Sequence, residues 1–194
     1  SANWTPMNRI ILRALLCTGF SFMLRSSEFL SRGGSGWDLG KVLRPRDVEL
    51  RCDGRRLGEG EYHLANEVSI FLPSSKADQF NQGAVLTHHL AGDQDADPCV
   101  VRAVRDTMPE FPERATTEAE LPLIRWEDGS PFTRSQMRRY LGDAGEEMGV
   151  SRKLTGTHSL RVGGATAGTK GVDEAVDEGR GVPVAYTHLR AHEP

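Results

Sequence analysis

Three short segments constrain the fold more than any other feature of the sequence. Val48, Leu50 and Cys52 alternate with charged residues, the same period of two recurs over residues 68–72, and residues 84–89 form a third candidate strand. Asp53-Gly54 is a strong turn signal directly behind the first segment. The polar residues 73–83 separate the second segment from the third. We therefore predict three antiparallel strands, the last two joined as a hairpin with an extended tip.

Patterns typical of helices lie on both sides of these strands. Pro6 suits a first helical turn, and apolar residues recur at helical intervals from Met7 to Leu30, which predicts one continuous helix. Thr133 and Gln136 form a capping box at the start of another. Further helices are predicted over residues 98–108 with Asp97 as the cap, 114–120, 133–148 and 158–170, with a turn over 126–131. The predicted fold class is α+β, mainly helical with a small three-stranded antiparallel sheet.

The composition is typical of one compact domain. The chain has 194 residues, of which 38% are hydrophobic and 26% charged. Its longest apolar run, Ala14 to Leu24, is eleven residues, whereas a membrane-spanning helix needs about 20. We interpret the run as a buried helix and expect no membrane contact. Three widely spaced cysteines indicate neither a disulfide framework nor a zinc site, which favours a reducing compartment.

Charge is unevenly distributed along the chain, although the net charge is only −3. Residues 134–170 include seven basic and three acidic side chains, a surplus of +4, whereas residues 106–128 include seven acidic and two basic side chains, a balance of −5. A polyanion could bind one face and be repelled by the other. On charge alone, two solvated helix faces explain the pattern better.

Four basic residues are candidates for an anion site. Arg25 near Glu28 is by itself typical of an ion pair, and Lys76 in the hairpin tip is typical of a solvated side chain. His158 and Arg161 lie three residues apart at the start of a predicted helix, where backbone N–H groups favour a phosphate. Two guanidinium groups can also bind phosphate oxygens bidentately. Together the four residues predict an anion site.

The order of these motifs resembles that of the tyrosine recombinases, or phage-type integrases, over nearly the whole chain. The resemblance is carried by five segments: Leu24-Arg25-Ser26-Ser27-Glu28 (the first box), Arg46-Asp47-Val48 (the strand after it), Ser75-Lys76-Ala77-Asp78-Gln79 (the lysine hairpin), residues 125–131 (similar to integrases of mobile elements) and Thr157 to Thr166 (the second box). It implies the catalytic domain of a DNA breaking-rejoining enzyme.

The resemblance also implies a reaction. An enzyme tyrosine attacks a DNA phosphodiester, forms a 3′-phosphotyrosine linkage and releases a 5′-hydroxyl, with no metal and no cofactor. Arg25 and Arg161 would neutralise the pentacoordinate phosphate. Lys76 would protonate the departing oxygen, and His158 would orient the tyrosine hydroxyl or exchange a proton with it. Glu28 would support Arg25.

Double-stranded DNA is the implied partner, and the intact protein is expected to form a homo-oligomer on it. The protein is expected inside the cell, in the cytoplasm or nucleus, wherever the target DNA is. Backbone contacts would position the duplex without determining sequence preference. Four basic residues are candidates for these contacts: Arg138, Arg139, Arg152 and Lys153.

The sequence departs from the family after the second box. The family continues through Gly-Arg-Trp or Gly-His to the nucleophile, but Gly181 follows Gly179-Arg180 here. Tyr186, the last tyrosine, is the candidate nucleophile and stands 25 residues after Arg161, several residues earlier than the family pattern predicts. We expect residues 1–180 to form the catalytic domain, without the N-terminal core-binding domain of the family, and residues 181–194 to be an aberrant tail.

Two interpretations of the tail remain open. Residues 186–193 match what one reading frame of a common sequencing adaptor encodes, which indicates read-through. Alternatively, Tyr186-Thr187-His188 is a genuine nucleophile segment, since tyrosine followed by Thr-His is common in the family.

Site-specific recombination or integration is accordingly the expected function, in a fragment that lacks the proper nucleophile. The alternative is a non-catalytic DNA-binding remnant of a mobile-element integrase. A type IB topoisomerase would use a similar site. A third alternative is a small globular protein that binds a phosphorylated metabolite. That function predicts a closed pocket, whereas binding of a duplex predicts an open basic groove.

Overall fold

The computed structural model describes residues 5–31, 42–72, 83–92, 98–116, 118, 120–158 and 160–166. These residues form an α+β structure with six α-helical segments and a four-stranded antiparallel sheet. The helices are α1 (Pro6–Ser21), α2 (Ser26–Phe29), α3 (Val100–Thr107), α4 (Pro112–Ala115) and α5 (Arg134–Glu147). Residues 157–158 and 160–166 are also helical, and we call them α6.

The sheet confirms the three predicted strands and adds a fourth. Its strands are β1 (Val48–Cys52), β2 (Arg55–Arg56), β3 (Glu67–Leu72) and β4 (Ala84–His89), in the spatial order β2-β1-β3-β4. The prediction of three strands missed β2 because two exposed arginines show no alternation. They pair with β1 because Asp53 and Gly54 both have positive φ angles, +50° and +78°, the conformation of a tight hairpin turn.

One face of the sheet forms part of the core. Leu50 lies opposite Val68, and Val68 lies opposite His88, so these three side chains share a face. Helix α3 packs against α1 and contacts β3 and β4. On the other face the hydroxyls of Ser69 and Thr87 are hydrogen bonded at 2.8 Å. The alternation in the sequence therefore correctly identified the buried face.

The first helix is shorter than predicted, because it ends at Ser21 and does not continue to Leu30. The amide of Leu24 donates to the carbonyl of Gly19 (3.1 Å) and that of Met23 to Phe20 (3.2 Å). This is the Schellman arrangement that ends many helices, and it needs a left-handed residue, here Met23 at φ +50°. This helix end is not visible in the sequence, because the left-handed position is not glycine and the apolar spacing continues through the turn.

Two other helix predictions need correction. Helix α3 begins at Val100 with Cys99 as its N-cap, so Pro98 precedes the helix instead of occupying its first position; Asp97 lies outside the described residues. Helix α4 ends at Ala115, whereas a helix to Glu120 was predicted. The reason is tertiary, since the segment after α4 is bound by two buried arginines.

Helix α5 and the turn before it agree with the prediction. The Thr133 amide donates to the Gln136 side chain at 2.8 Å, and the Gln136 amide donates to the Thr133 hydroxyl at 3.2 Å, which completes the capping box. The predicted turn over 126–131 closes through a bond from the Gly129 amide to the Trp126 carbonyl at 2.9 Å.

Two arginines, each only 3% exposed, fix the segment between α4 and α5. Arg114 donates to the carbonyl oxygens of Leu123 (3.2 Å) and Trp126 (3.0 Å), and its guanidinium lies 3.8 Å from the centre of the Phe111 ring. Loss of hydration lowers the pKa of Arg114 to about 10. Arg125 donates to the Pro122 carbonyl at 2.8 Å and forms an ion pair with Glu118 at 2.7 Å. Arginine side chains thus donate to three backbone carbonyls of this segment, those of Pro122, Leu123 and Trp126.

Replacing Arg114 with methionine should lower the free energy of unfolding by about 2–4 kcal/mol, because in the interior the Leu123 carbonyl would lose its Arg114 donor and the Trp126 carbonyl would keep only the Gly129 amide. Urea unfolding followed by circular dichroism measures the change. Arg134→Met, at an exposed position on α5, is the matched control and should change stability by less than about 0.5 kcal/mol. An unchanged midpoint in Arg114→Met would mean that the two bonds do not hold the segment.

Candidate functional site

The structure describes four of the six predicted catalytic and supporting residues. Arg25 and Glu28 lie at the start of α2, and His158 and Arg161 lie on α6. Lys76 and Tyr186 lie outside the described residues. The described residues of the candidate site lie on the elements around the end of α1, where α2 begins and where α6 packs.

Arg25 is held from two directions by Glu28. The Arg25 backbone amide donates to Glu28 Oε2 at 2.6 Å, and its Nη1 donates to Glu28 Oε1 at 3.2 Å. The Glu28 side chain is only 10% exposed, whereas the Arg25 side chain is 32% exposed. A mostly buried carboxylate thus orients a guanidinium group that remains accessible to water. The backbone of Glu28 is fixed as well, because its carbonyl accepts the Leu43 amide at 2.9 Å.

Helix α6 packs closely against the end of α1. A Cβ at Gly164 would overlap the carbonyl oxygen of Phe20, and a Cβ at Gly163 would lie 3.2 Å from the Phe20 ring. Leu160 lies over Gly19 in the same contact. Without side chains at these glycines, the backbones of α1 and α6 can approach each other. The helix that carries Arg161 therefore contacts the residues that lead into Arg25.

His158 and Arg161 differ in exposure. His158 is exposed and Arg161 is half-buried, one helical turn apart on α6. Within the described ranges, no carboxylate lies within ion-pair distance of either side chain. Arg161 thus differs from Arg25, whose charge is partly compensated by Glu28.

The four candidate DNA contacts have different environments. Arg138 and Arg139 are exposed on α5, and Arg139 lies 5.1 Å from the centre of the Tyr140 ring. Lys153 is exposed in the segment after α5. Arg134, which is not among the predicted DNA contacts, is exposed one turn before Arg138 on the same helix.

Arg152 is exposed, but its guanidinium is bound by carboxylates of the chain itself. Its Nε donates to Glu146 at 3.1 Å and its Nη2 to the same carboxylate at 3.0 Å, while Nη2 also contacts Asp143. The side chain lies across Gly142, where a Cβ would be 2.9 Å from Arg152 Cγ. Hydrogen bonds to the two carboxylates raise the pKa of Arg152. A phosphate would have to compete with both carboxylates for this guanidinium.

His88, which is not among the predicted site residues, contacts the end of α1 from β4. Its Nε2 lies 2.8 Å from the carbonyl oxygen of Ser21, and because a carbonyl only accepts, Nε2 carries the proton. The ring meets Phe22 edge-on, with centroids 4.8 Å apart. Burial lowers the pKa of His88, and neighbouring His89 lowers it further, against the opposing effect of the bond to Ser21. The sequence signal that could have identified His88 is its position on the core-facing side of the predicted strand 84–89.

A small cleft of about 460 Å³ lies elsewhere, between the 3₁₀ turn of residues 62–64 and that of residues 108–110. Tyr62, Met108, Pro109 and Pro112 form apolar walls, with Glu59 and His63 also lining the cleft. Of the candidate site residues that the structure describes, Arg25, Glu28, His158 and Arg161, none lines this cleft.

Comparisons of the chain with family models, curated proteins and solved structures find no match. None of the described helices has both the length and the apolar character needed to cross a membrane. In the part of the chain that the structure describes, no three His, Cys, Asp or Glu side chains gather where they could bind a metal ion.

Lowering the pH should destabilise the fold through His88. Because its folded pKa lies below the ordinary value of 6.5, its contribution is fully present above pH 6.5 and declines as the pH falls from there towards the lowered value. Urea unfolding at a series of pH values between about 5 and 8 measures this decline, and His88→Gln should reduce it. His63→Gln, at an exposed position on the 3₁₀ turn of residues 62–64, is the control. Parallel pH profiles for wild type and His88→Gln would contradict the assignment.

Replacing Gly164 with alanine should move α6 away from α1. The added methyl group would overlap the Phe20 carbonyl, so α6 must move or the backbone must strain, at a cost of about 1–3 kcal/mol. Urea unfolding measures the loss. Gly156→Ala is the matched control, because a Cβ there meets no atom within 4 Å. Equal stability of the two variants would show that the close approach is not required.

Proposed function

We propose that this chain is a catalytic domain of the tyrosine recombinase type, which exchanges DNA strands at specific sites through a 3′-phosphotyrosine intermediate. The observation that carries the proposal is the arrangement at the end of α1. There an accessible Arg25 is oriented by Glu28, and the helix bearing His158 and Arg161 packs against the adjacent turn. Phosphoryl transfer requires cationic groups oriented in advance, because negative charge accumulates on the phosphate oxygens.

Each residue has a distinct role in this proposal. Arg25 and Arg161 bind the non-bridging oxygens of the scissile phosphate, and Glu28 orients Arg25. His158, which is exposed on α6, contacts the phosphate or the attacking hydroxyl. Lys76 protonates the leaving 5′-oxygen, and Tyr186 is the candidate nucleophile; both roles rest on the motif order alone.

The exposed arginines of α5 give the duplex a second region of contact. Arg134, Arg138 and Arg139 lie in the first half of the helix, and all three are exposed. The positive end of the helix dipole lies at that same end. By contrast, the acidic segment 106–128 uses both of its arginines internally, at Leu123, Trp126, Pro122 and Glu118. We expect the duplex to lie on α5 and away from that segment.

A second candidate function is DNA binding without strand cleavage. It is favoured by Gly181, which stands where the family pattern has tryptophan, and by the early position of Tyr186. The same phosphate-binding arginines would then position DNA but no covalent intermediate would form. The two functions differ in a single product, the protein–DNA adduct.

Binding to a DNA duplex should depend on salt and on both arginines. Arg25→Ala and Arg161→Ala should each weaken binding about tenfold and reduce the slope of log affinity against log salt concentration by about 1. Fluorescence anisotropy with a labelled duplex measures both values. The matched control is Arg9→Ala, which removes the same charge from an exposed position near the other end of α1. Equal losses in all three variants would indicate a nonspecific charge effect and overturn the proposed phosphate site.

A nicked suicide duplex then separates the two candidate functions. A covalent adduct on a denaturing gel that is lost in both Tyr186→Phe and Arg161→Ala supports recombinase chemistry with Tyr186 as nucleophile. Salt-sensitive binding without any adduct supports the non-catalytic function. Absence of both would contradict both functions.

A further inference from the structure

The last four carbonyl groups of α1 are all bonded, which an α-helix cannot do by itself. The turn supplies three of the donors, since the amides of Phe22, Leu24 and Met23 donate to the carbonyls of Thr18, Gly19 and Phe20 respectively. The fourth carbonyl, that of Ser21, accepts from His88 Nε2 at 2.8 Å. A side chain from the sheet thus completes the helix end.

His88 also packs against the turn that it caps. Its ring meets Phe22 edge-on at an interplanar angle of 81°, and Phe22 is only 4% exposed. On the sheet, His88 lies opposite Val68, which is completely buried. The imidazole is therefore fixed on one side by the sheet and fixes Ser21 and Phe22 on the other.

The same turn determines where Arg25 lies. Met23 has a left-handed φ of +50°, Leu24 is 1% exposed, and the Arg25 amide follows directly with its 2.6 Å bond to Glu28. Gly164 of α6 packs against Phe20 and Met23. A shift of the turn would therefore move Arg25 and the surface that receives α6 together.

We propose that His88 is a positioning residue for Arg25: by donating to the Ser21 carbonyl and packing against Phe22, it holds the turn that presents Arg25 to a DNA phosphate. The link to the phosphate rests on the proposed function. The link to Arg25 rests on the contacts alone, so the two can be tested separately.

Two variants separate the hydrogen bond from simple filling of space. In His88→Gln the side-chain amide nitrogen is the same number of bonds from Cα as His88 Nε2, so the donor is kept. In His88→Met the length is similar and the donor is lost. His89→Gln is the control at the adjacent exposed position. If His88→Met does not fold, His88→Asn replaces it, because its amide stops one bond short.

The first readout is the backbone amide of Arg25 in a two-dimensional NMR spectrum, which reports on its short bond to Glu28. We expect the resonance to move and to exchange faster with water in His88→Met, and to remain near its wild-type position in His88→Gln and His89→Gln. A merely space-filling His88 would leave the Arg25 amide in place, or would give the same change in Gln and Met variants. Either result would overturn the proposal.

The second readout is affinity for the labelled duplex. His88→Met should weaken binding about three- to tenfold, His88→Gln should restore it, and His88→Met should add no further loss in an Arg25→Ala background. An additive loss in that background would overturn action through Arg25. If wild type does not bind DNA, the proposed function fails, while the Arg25 amide still decides whether His88 positions Arg25.

Discussion

The end of α1 is the constraint on which the rest of the structure depends. A helix must bond its last carbonyl groups or lose stability, and here the donors come from a left-handed turn and from β4. A left-handed non-glycine residue costs about 1 kcal/mol or more, which the burial of Leu24 and Phe22 offsets. Strand β4 contacts this turn through His88, α2 begins just after it and α6 packs against it, so one helix end connects the elements of the candidate site.

Charge in this protein is used in two different ways. Arg114 and Arg125 are buried and bind carbonyl oxygens, and Arg152 binds two carboxylates, so these cations serve the structure. Arg134 and Arg138 remain exposed on α5. A count of basic residues along the sequence does not distinguish buried or paired arginines from exposed ones. The surplus of +4 in residues 134–170 therefore says little until each side chain has been located.

The elements that could be predicted from the sequence are those whose structure depends on residues close together along the chain. Strands β1, β3 and β4 follow from a period of two, and α5 begins where Thr133 and Gln136 cap each other. The end of α1 was missed because its left-handed residue is Met23, and the path after α4 was missed because Arg114 bonds carbonyls nine and twelve residues away. For the site, residue types indicated Arg25, Glu28, His158 and Arg161, but the role of His88 depends on a contact across 67 residues of sequence.

The contact between α6 and α1 also bears on how the protein folds. Phe20 and Gly164 meet although most of the chain lies between them, and contacts that close such long loops form slowly. On a ribosome the strands and α1 leave the exit tunnel well before residue 164 is made. The nascent chain can therefore assemble its sheet while the partner surface for α6 is still uncovered, and α6 can cover that surface only after residue 164 has been made.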